Sequence, residues 1–160
     1  KVKINHITEP EMVRKLYEAS ENGVRVDLLV RGNCSLVTGI PGKSDNIRIC
    51  GIIDRYLEHS RIFIFANGGE KKCFIGSADW MPRNLDNRIE VVTPVYDAKI
   101  KEDLEKVIDY GLRDTMQGRI VDGTGENRPW TTEDGGAFRS QEQLYLHYRE
   151  QMAVETQASE

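Results

Sequence analysis

The sequence predicts an α/β protein. Three observations carry that reading: an amphipathic helical repeat near the start, a β-branched apolar run directly behind it, and a second helical repeat that follows a hairpin-like pair of strands. Thr8-Glu9-Pro10-Glu11 joins a capping hydroxyl, early acids and a first-turn proline, with Met12, Val13, Leu16, Tyr17 and Ala19 following at helical spacing. A helix over residues 9–21 results, stopped by Asn22-Gly23. Val24-Arg25-Val26-Asp27-Leu28-Leu29-Val30 then reads as a mostly buried strand. Residues 39–44 form a loop by their Gly and Pro content, and residues 47–57 are apolar without a clear period. Arg61-Ile62-Phe63-Ile64-Phe65 and Lys72-Cys73-Phe74-Ile75 flank Asn67-Gly68-Gly69 as two strands around a turn. Ile89-Glu90-Val91-Val92 reads as a further strand. Asp97-Ala98 opens a helix carrying Ile100, Leu104, Val107, Ile108 and Leu112 and ending near Asp114. A long polar loop over 122–136 precedes a final helix of residues 141–152.

The 160 residues suit one hydrophobic core, and 39% hydrophobic with 30% charged residues is the composition of an ordinary globule. Twenty-two basic against twenty-six acidic side chains give a net charge of −4, which argues against gripping nucleic acid through bulk charge. Any polyanion site must be a local cluster of Arg or Lys. Apolar runs such as residues 62–66 are far shorter than the roughly 18–20 residues of a membrane span. The chain opens on Lys1 rather than Met, without signal or transit character, and reads as a piece of a longer protein. Cys34, Cys50 and Cys73 are odd in number, widely spaced and without a Cys-x-x-Cys pair, so they read as reduced, structural thiols of a cytoplasmic protein.

Gly42-Lys43-Ser44 imitates the end of a phosphate-binding loop, yet Val37 stands where that motif needs its first glycine. A better cluster is Glu58-His59-Ser60-Arg61 with Gly76-Ser77-Ala78-Asp79-Trp80. Residues two apart on a strand share a face, so His59 and Arg61 can address one spot, and the returning strand brings the Ser77 hydroxyl and nearby N–H groups to it. A His near an Arg is otherwise an ordinary strand-end polar residue or a member of a salt bridge. Arg31 sits at the carboxyl end of an apolar strand, where open α/β sheets bind ligands. Arg83 and Arg88 add two guanidiniums suited to bidentate phosphate contacts. His6 and His147 lack partners in the sequence and read as satisfied or surface residues; Trp80 and Trp130 read as packing residues.

Val30-Arg31-Gly32, Ser44-Asp45-Asn46-Ile47-Arg48, Tyr56-Leu57-Glu58-His59-Ser60-Arg61, Asn67-Gly68-Gly69 and above all the block from Gly76-Ser77-Ala78-Asp79-Trp80 through Arg88-Ile89-Glu90-Val91 resemble the C-terminal catalytic domain of bacterial polyphosphate kinase. The resemblance covers residues 2–114 and fades after 122. It implies a phospholipase D-like mixed sheet flanked by helices over 1–121, with a loop and C-terminal helical arm of the same domain over 122–160. It also implies reversible transfer of the terminal phosphate of ATP to inorganic polyphosphate, ATP/ADP and polyphosphate as ligands, Mg²⁺ held mainly by ATP and the preceding domain, and no metal ligand in this chain. The histidine that becomes phosphorylated belongs, by the same resemblance, to that preceding domain. His59 is then the catalytic residue of this half, and Arg31, His59 and Arg88 are the family's nucleotide and phosphate contacts, with Arg61, Arg83 and Ser77 beside them. The resemblance leaves homo-oligomers and membrane association of the full enzyme open.

The phospholipase D signature, His-x-Lys followed by Gly-Ser, is degenerate: Arg61 replaces Lys, and Gly76-Ser77 lies farther downstream. Two alternatives stand beside the kinase half. One is a phospholipase D-like phosphodiesterase or nuclease that dimerises to pair two His59 groups; the other is a noncatalytic polyphosphate-binding module.

Overall fold

A computed structural model describes residues 1–133 and 135–158. The last two positions of the expected 122–160 arm and residue 134 lie outside the described residues. The elements are β1 (Val2–Ile4), α1 (Pro10–Glu21), β2 (Val26–Val30), β3 (Ile47–Gly51), β4 (Arg61–Phe65), β5 (Lys72–Gly76), α2 (Pro82–Asp86), β6 (Val92–Val95), α3 (Ala98–Gly111), β7 (Arg119–Ile120) and α4 (Ser140–Ala158). The strands form one mixed sheet in the order β6-β5-β4-β1-β2-β3-β7. β1, β2 and β3 run parallel to one another, while β4 to β6 and β7 join by antiparallel pairing.

Local chemistry explains the main elements. Glu9 caps α1 by accepting from the Met12 N–H at 2.6 Å, and Gly23, at φ +78°, supplies the left-handed turn that ends it. Asp97 caps α3 by accepting from the Ile100 N–H at 2.9 Å. The alternation within β2 sorts the core into two faces. Val26, Leu28 and Val30 pack with Val2, Ile4, Ile49, Phe63 and Trp80 under α1, whereas Leu29 joins Cys50, Ile62, Ile64, Ile108 and Leu112 under α3. Helix α4 lies against α3.

The strand expected at 89–92 begins three residues later, as β6. Residues 89–91 lie outside the strand: Glu90 bonds Ser77 and Asn84, Val91 exchanges hydrogen bonds with Ser77, and Ile89 is fully exposed. Residues 47–57 resolve into β3 and an extended connection. The turn between β4 and β5 is a 3-10 turn over Asn67–Gly69 with positive φ at all three residues. Strands β1 and β7 and helix α2 are too short to register as a period. The loop that imitates a phosphate-binding motif leads into β3 rather than a helix, and its Ser44 hydroxyl accepts from the Ile40 N–H at 2.8 Å, a structural bond.

Candidate functional site

The sheet topology gathers the candidate residues. Parallel pairing puts the carboxyl ends of β1, β2 and β3 at one edge, so Asn5, Arg31 and Gly51 meet there. Strand β4 runs the other way and begins at that edge with Arg61, opposite Gly76 at the end of β5. Val92 opposes Gly76, which brings the segment carrying Arg88 and Glu90 to the same edge. Arg119 opposes Gly51 from the amino end of β7.

At the centre lies Asp79, a buried carboxylate that sequence reasoning left without a role. Its Oδ2 accepts from Arg61 Nη2 at 2.9 Å and its Oδ1 from Arg61 Nε at 3.2 Å, a two-point clamp. The Asn5 N–H at 3.0 Å, the Asn5 amide at 3.1 Å and the His6 N–H at 3.3 Å also donate to Oδ1. Burial by itself would raise the Asp79 pKa; the Arg61 guanidinium and the two backbone N–H groups outweigh it, and the net shift is downward. Asn5 turns its Oδ1 to Arg31, whose Nε donates to it at 2.9 Å. One carboxylate thus fixes two arginines, Arg61 directly and Arg31 through an amide.

His59 lies just before β4 rather than on it, yet it meets Arg61 as the alternation argument expects. Arg61 Nη1 stands 3.2 Å from His59 Nδ1 and 2.9 Å from the His59 carbonyl. A guanidinium only donates, so Nδ1 accepts and the ring proton resides on Nε2, on the far side of the ring. The approach to His59 is fixed from below. Buried Lys3 pairs with Glu58 at 3.0 Å, and Gln141 of α4 bonds both the Glu58 carboxylate and the Tyr56 carbonyl.

Ser77 does not offer a free hydroxyl. It donates to Glu90 and accepts from the Val91 N–H at 3.1 Å. Hydrogen bonds from Ser77 and then Asn84, with Arg88 nearby, hold the Glu90 carboxyl below its usual pKa. Arg88 reaches Glu90 at 3.5 Å but remains mostly exposed, so its guanidinium faces solvent beside the cluster. Arg83 is exposed on α2, and no hydrogen bond or ion pair among the described residues ties it to the cluster. The site therefore brings together Arg31, His59, Arg61, Ser77 and Arg88, and leaves Arg83 at the margin.

The other histidines are committed elsewhere. His6 Nδ1 accepts from the Asn33 N–H at 2.9 Å, and His147 Nε2 lies 3.0 Å from Lys106 Nζ. Trp80 stacks on Phe63, and Trp130 donates to the Leu112 carbonyl from a buried position. The nearby carboxylates do not suit Mg²⁺, because Asp79 and Glu90 are taken up by Arg, Asn and Ser donors. No group of three or more His, Cys, Asp or Glu among the described residues is arranged to hold a metal. No helix among them is long and apolar enough to cross a membrane.

Comparison with known proteins gives the family of the chain. A family model described as polyphosphate kinase C-terminal domain 2 matches residues 1–141, well past residue 114, to which the resemblance in the sequence extends. The polyphosphate kinase of Escherichia coli strain K12 is 50% identical over 127 residues, covering 79% of this chain and 18% of that protein. That of Klebsiella pneumoniae is 44% identical over 144 residues, covering 90% of this chain and 21% of its own. The chain thus spans about a fifth of the length of these curated relatives. The crystal structure of polyphosphate kinase from Porphyromonas gingivalis superposes with a TM-score of 0.90 at 39% identity, over 96% of this chain and 24% of that one. The phospholipase D family member Nuc from Salmonella typhimurium shares the fold, at a TM-score of 0.58 and 17% identity over 76% of this chain and 80% of its own. The chain belongs to the polyphosphate kinase C-terminal domain 2 family.

Proposed function

We propose that this chain forms one wall of a site that reversibly transfers the terminal phosphate of ATP to inorganic polyphosphate. The observation that carries the reading is the clamp on Asp79, which sets two guanidiniums and one imidazole at a single sheet edge. Phosphoryl transfer proceeds through a loose transition state, so positioning and positive charge supply most of the catalysis. Arg31 and Arg88 meet the second need, and Asp79 meets the first by locking Arg61, which in turn orients His59.

In the forward direction a histidine of a facing half, outside these 160 residues, attacks the γ-phosphorus. A nitrogen–phosphorus bond forms, the bond from that phosphorus to the β,γ-bridging oxygen breaks, and its electron pair passes to ADP. His59 lies on the leaving side. Its Nε2–H donates to the departing oxygen, while Arg61 at Nδ1 keeps the proton on Nε2. A terminal oxygen of polyphosphate then attacks the phosphohistidine, lengthening the polymer by one unit and freeing the imidazole. Arg31 and Arg88 offset charge on the transferring group. Mg²⁺ would be held by ATP and the facing half, where it would offset charge on the phosphates.

Arg61 at the position of the phospholipase D lysine is locked by Asp79 and hydrogen-bonded to His59, which favours transfer over diester hydrolysis by a homodimer. The test is a brief pulse of γ-labelled ATP on the full-length enzyme, followed by digestion and mapping of acid-labile phosphopeptides. Label is expected on a histidine outside these 160 residues, with His59→Ala lowering turnover in a folded enzyme. Most of the label on the His59 peptide would make His59 the nucleophile and overturn the assignment. Hydrolysis of a phosphodiester by the 160-residue chain as a homodimer would favour the alternative.

A further inference from the structure

A second cleft opens at the carboxyl ends of β2 and β3, beside the Asp79 cluster. It has a volume of about 360 Å³ and is lined by apolar Val30, Ile52 and Val121 together with Arg31, Gln117 and Arg119. This is within the range of about 300–1,000 Å³ typical of small-ligand sites. Its charge is unusual for a chain of net −4: two guanidiniums line it and no carboxylate does. Neither arginine has a carboxylate partner among the described residues. Arg31 donates to the Asn5 amide and Arg119 Nη1 to the Gly118 carbonyl at 2.7 Å, so both keep their full positive charge and unused donors. Both are half-buried, which lowers solvent screening of an anion between them.

We propose that this cleft is a second phosphate subsite that takes a linear oligophosphate, with Arg119 as a binding residue. The inference rests on the kinase reading above and extends it. Arg31 belongs to both regions: its Nε is anchored to the Asp79 cluster while its side chain lines the cleft. A chain with negative charge on every unit can contact Arg31 at the reacting end and Arg119 further along. A nucleoside has no charge to offer the second guanidinium, so the cleft suits the polymer and not the base of ATP. The β3–β7 register places Arg119 against Gly51 and holds the site open: a Cβ at Gly51 would lie 2.9 Å from Val121, so only glycine fits this wall without moving it.

The experiment measures affinities of the full-length enzyme for orthophosphate, tripolyphosphate, a long linear polyphosphate and a non-hydrolysable ATP analogue. Arg119→Gln is expected to weaken long-polyphosphate binding by about tenfold or more, the scale of a lost charge-assisted contact, while analogue binding stays within about twofold. Ile53, 76% exposed at the rim, gives a variant that leaves the fold alone: Ile53→Glu should weaken the long polymer by like-charge repulsion. Arg31→Ala should weaken polymer and analogue together. Unchanged polymer affinity in both Arg119→Gln and Ile53→Glu would overturn the cleft while leaving the kinase reading standing, provided that Arg31→Ala still binds weakly. Equal loss of analogue and polymer in Arg119→Gln would overturn it in favour of a nucleotide pocket. An Arg31→Ala enzyme with all affinities unchanged would remove the kinase reading and the cleft with it.

Discussion

Asp79→Ala is the perturbation that the site geometry makes most severe. The carboxylate is almost fully buried and accepts two bonds from Arg61, whose side chain is itself only 11% exposed. Removing one partner of a buried pair leaves an uncompensated charge, a loss of about 3–5 kcal/mol. The Asn5 and His6 N–H groups lose their acceptor as well. For a chain of this length each kcal/mol lowers Tm by about 2–4 °C, so the melting point should fall by roughly 6–20 °C. A thermal melt followed by circular dichroism reads this directly. Arg61→Met should be costly too, but the double variant should lose clearly less than the two singles together, because no unpaired charge is then buried. The pH dependence has a definite sign. The Asp79 pKa is depressed in the folded state, so its contribution is complete above the ordinary carboxylate range and fades as pH falls through the folded value. Wild type should therefore lose stability in acid more steeply than Asp79→Asn. A Tm drop below 2 °C, or additive single and double variants, would show that the clamp does not hold the cluster together.

Two further outcomes test the core around the site. Gly111 on α3 lies against the Leu29 side chain, and an added Cβ would overlap it; Gly111→Ala should cost about 1–3 kcal/mol in a urea titration, with the denaturant slope unchanged. The Cys50 thiol is buried and its pKa is pushed up to about 12, first by desolvation and then by the Asp114 charge. In native protein at pH 8, iodoacetamide should alkylate half-buried Cys34 before Cys50, as intact mass and peptide mapping would record; early Cys50 modification would contradict the packing.

Much of this arrangement was legible in the sequence where the signal is local. Helices α1 and α3 follow from caps and apolar spacing, and the meeting of His59 with Arg61 follows from a separation of two. Arg31 at a strand end is equally local. What escaped depends on sheet order. β1 inserts between β2 and β4, which are far apart in the chain, and it is a three-residue strand with Lys3, a charged residue, at its centre. Nothing in its own pattern announces it, because Lys3 is buried only through Glu58, supplied from another part of the chain. Asn5 and Asp79 meet across 74 positions for the same reason. Asp79 did carry a faint signal, as an acid set between Ala78 and Trp80 in an otherwise buried run. Gln141 carried none: its bonds to Tyr56 and Glu58 form only because α4 comes to rest beside the connection before β4.

The net charge illustrates how composition and site diverge. A surplus of four acids argues against a polyanion surface, yet the sheet edge is positive in effect because its carboxylates are already committed. Asp79 is paired with Arg61 and Glu58 with Lys3, while Glu90 is hydrogen-bonded by Ser77 and Asn84 and has Arg88 at 3.5 Å as its opposite charge. Arg31 meets an amide rather than an acid, and Arg119 meets a carbonyl. Local potential at the edge is thus set by which charges lack an opposite partner, a property of pairing in three dimensions that no sum over the sequence contains.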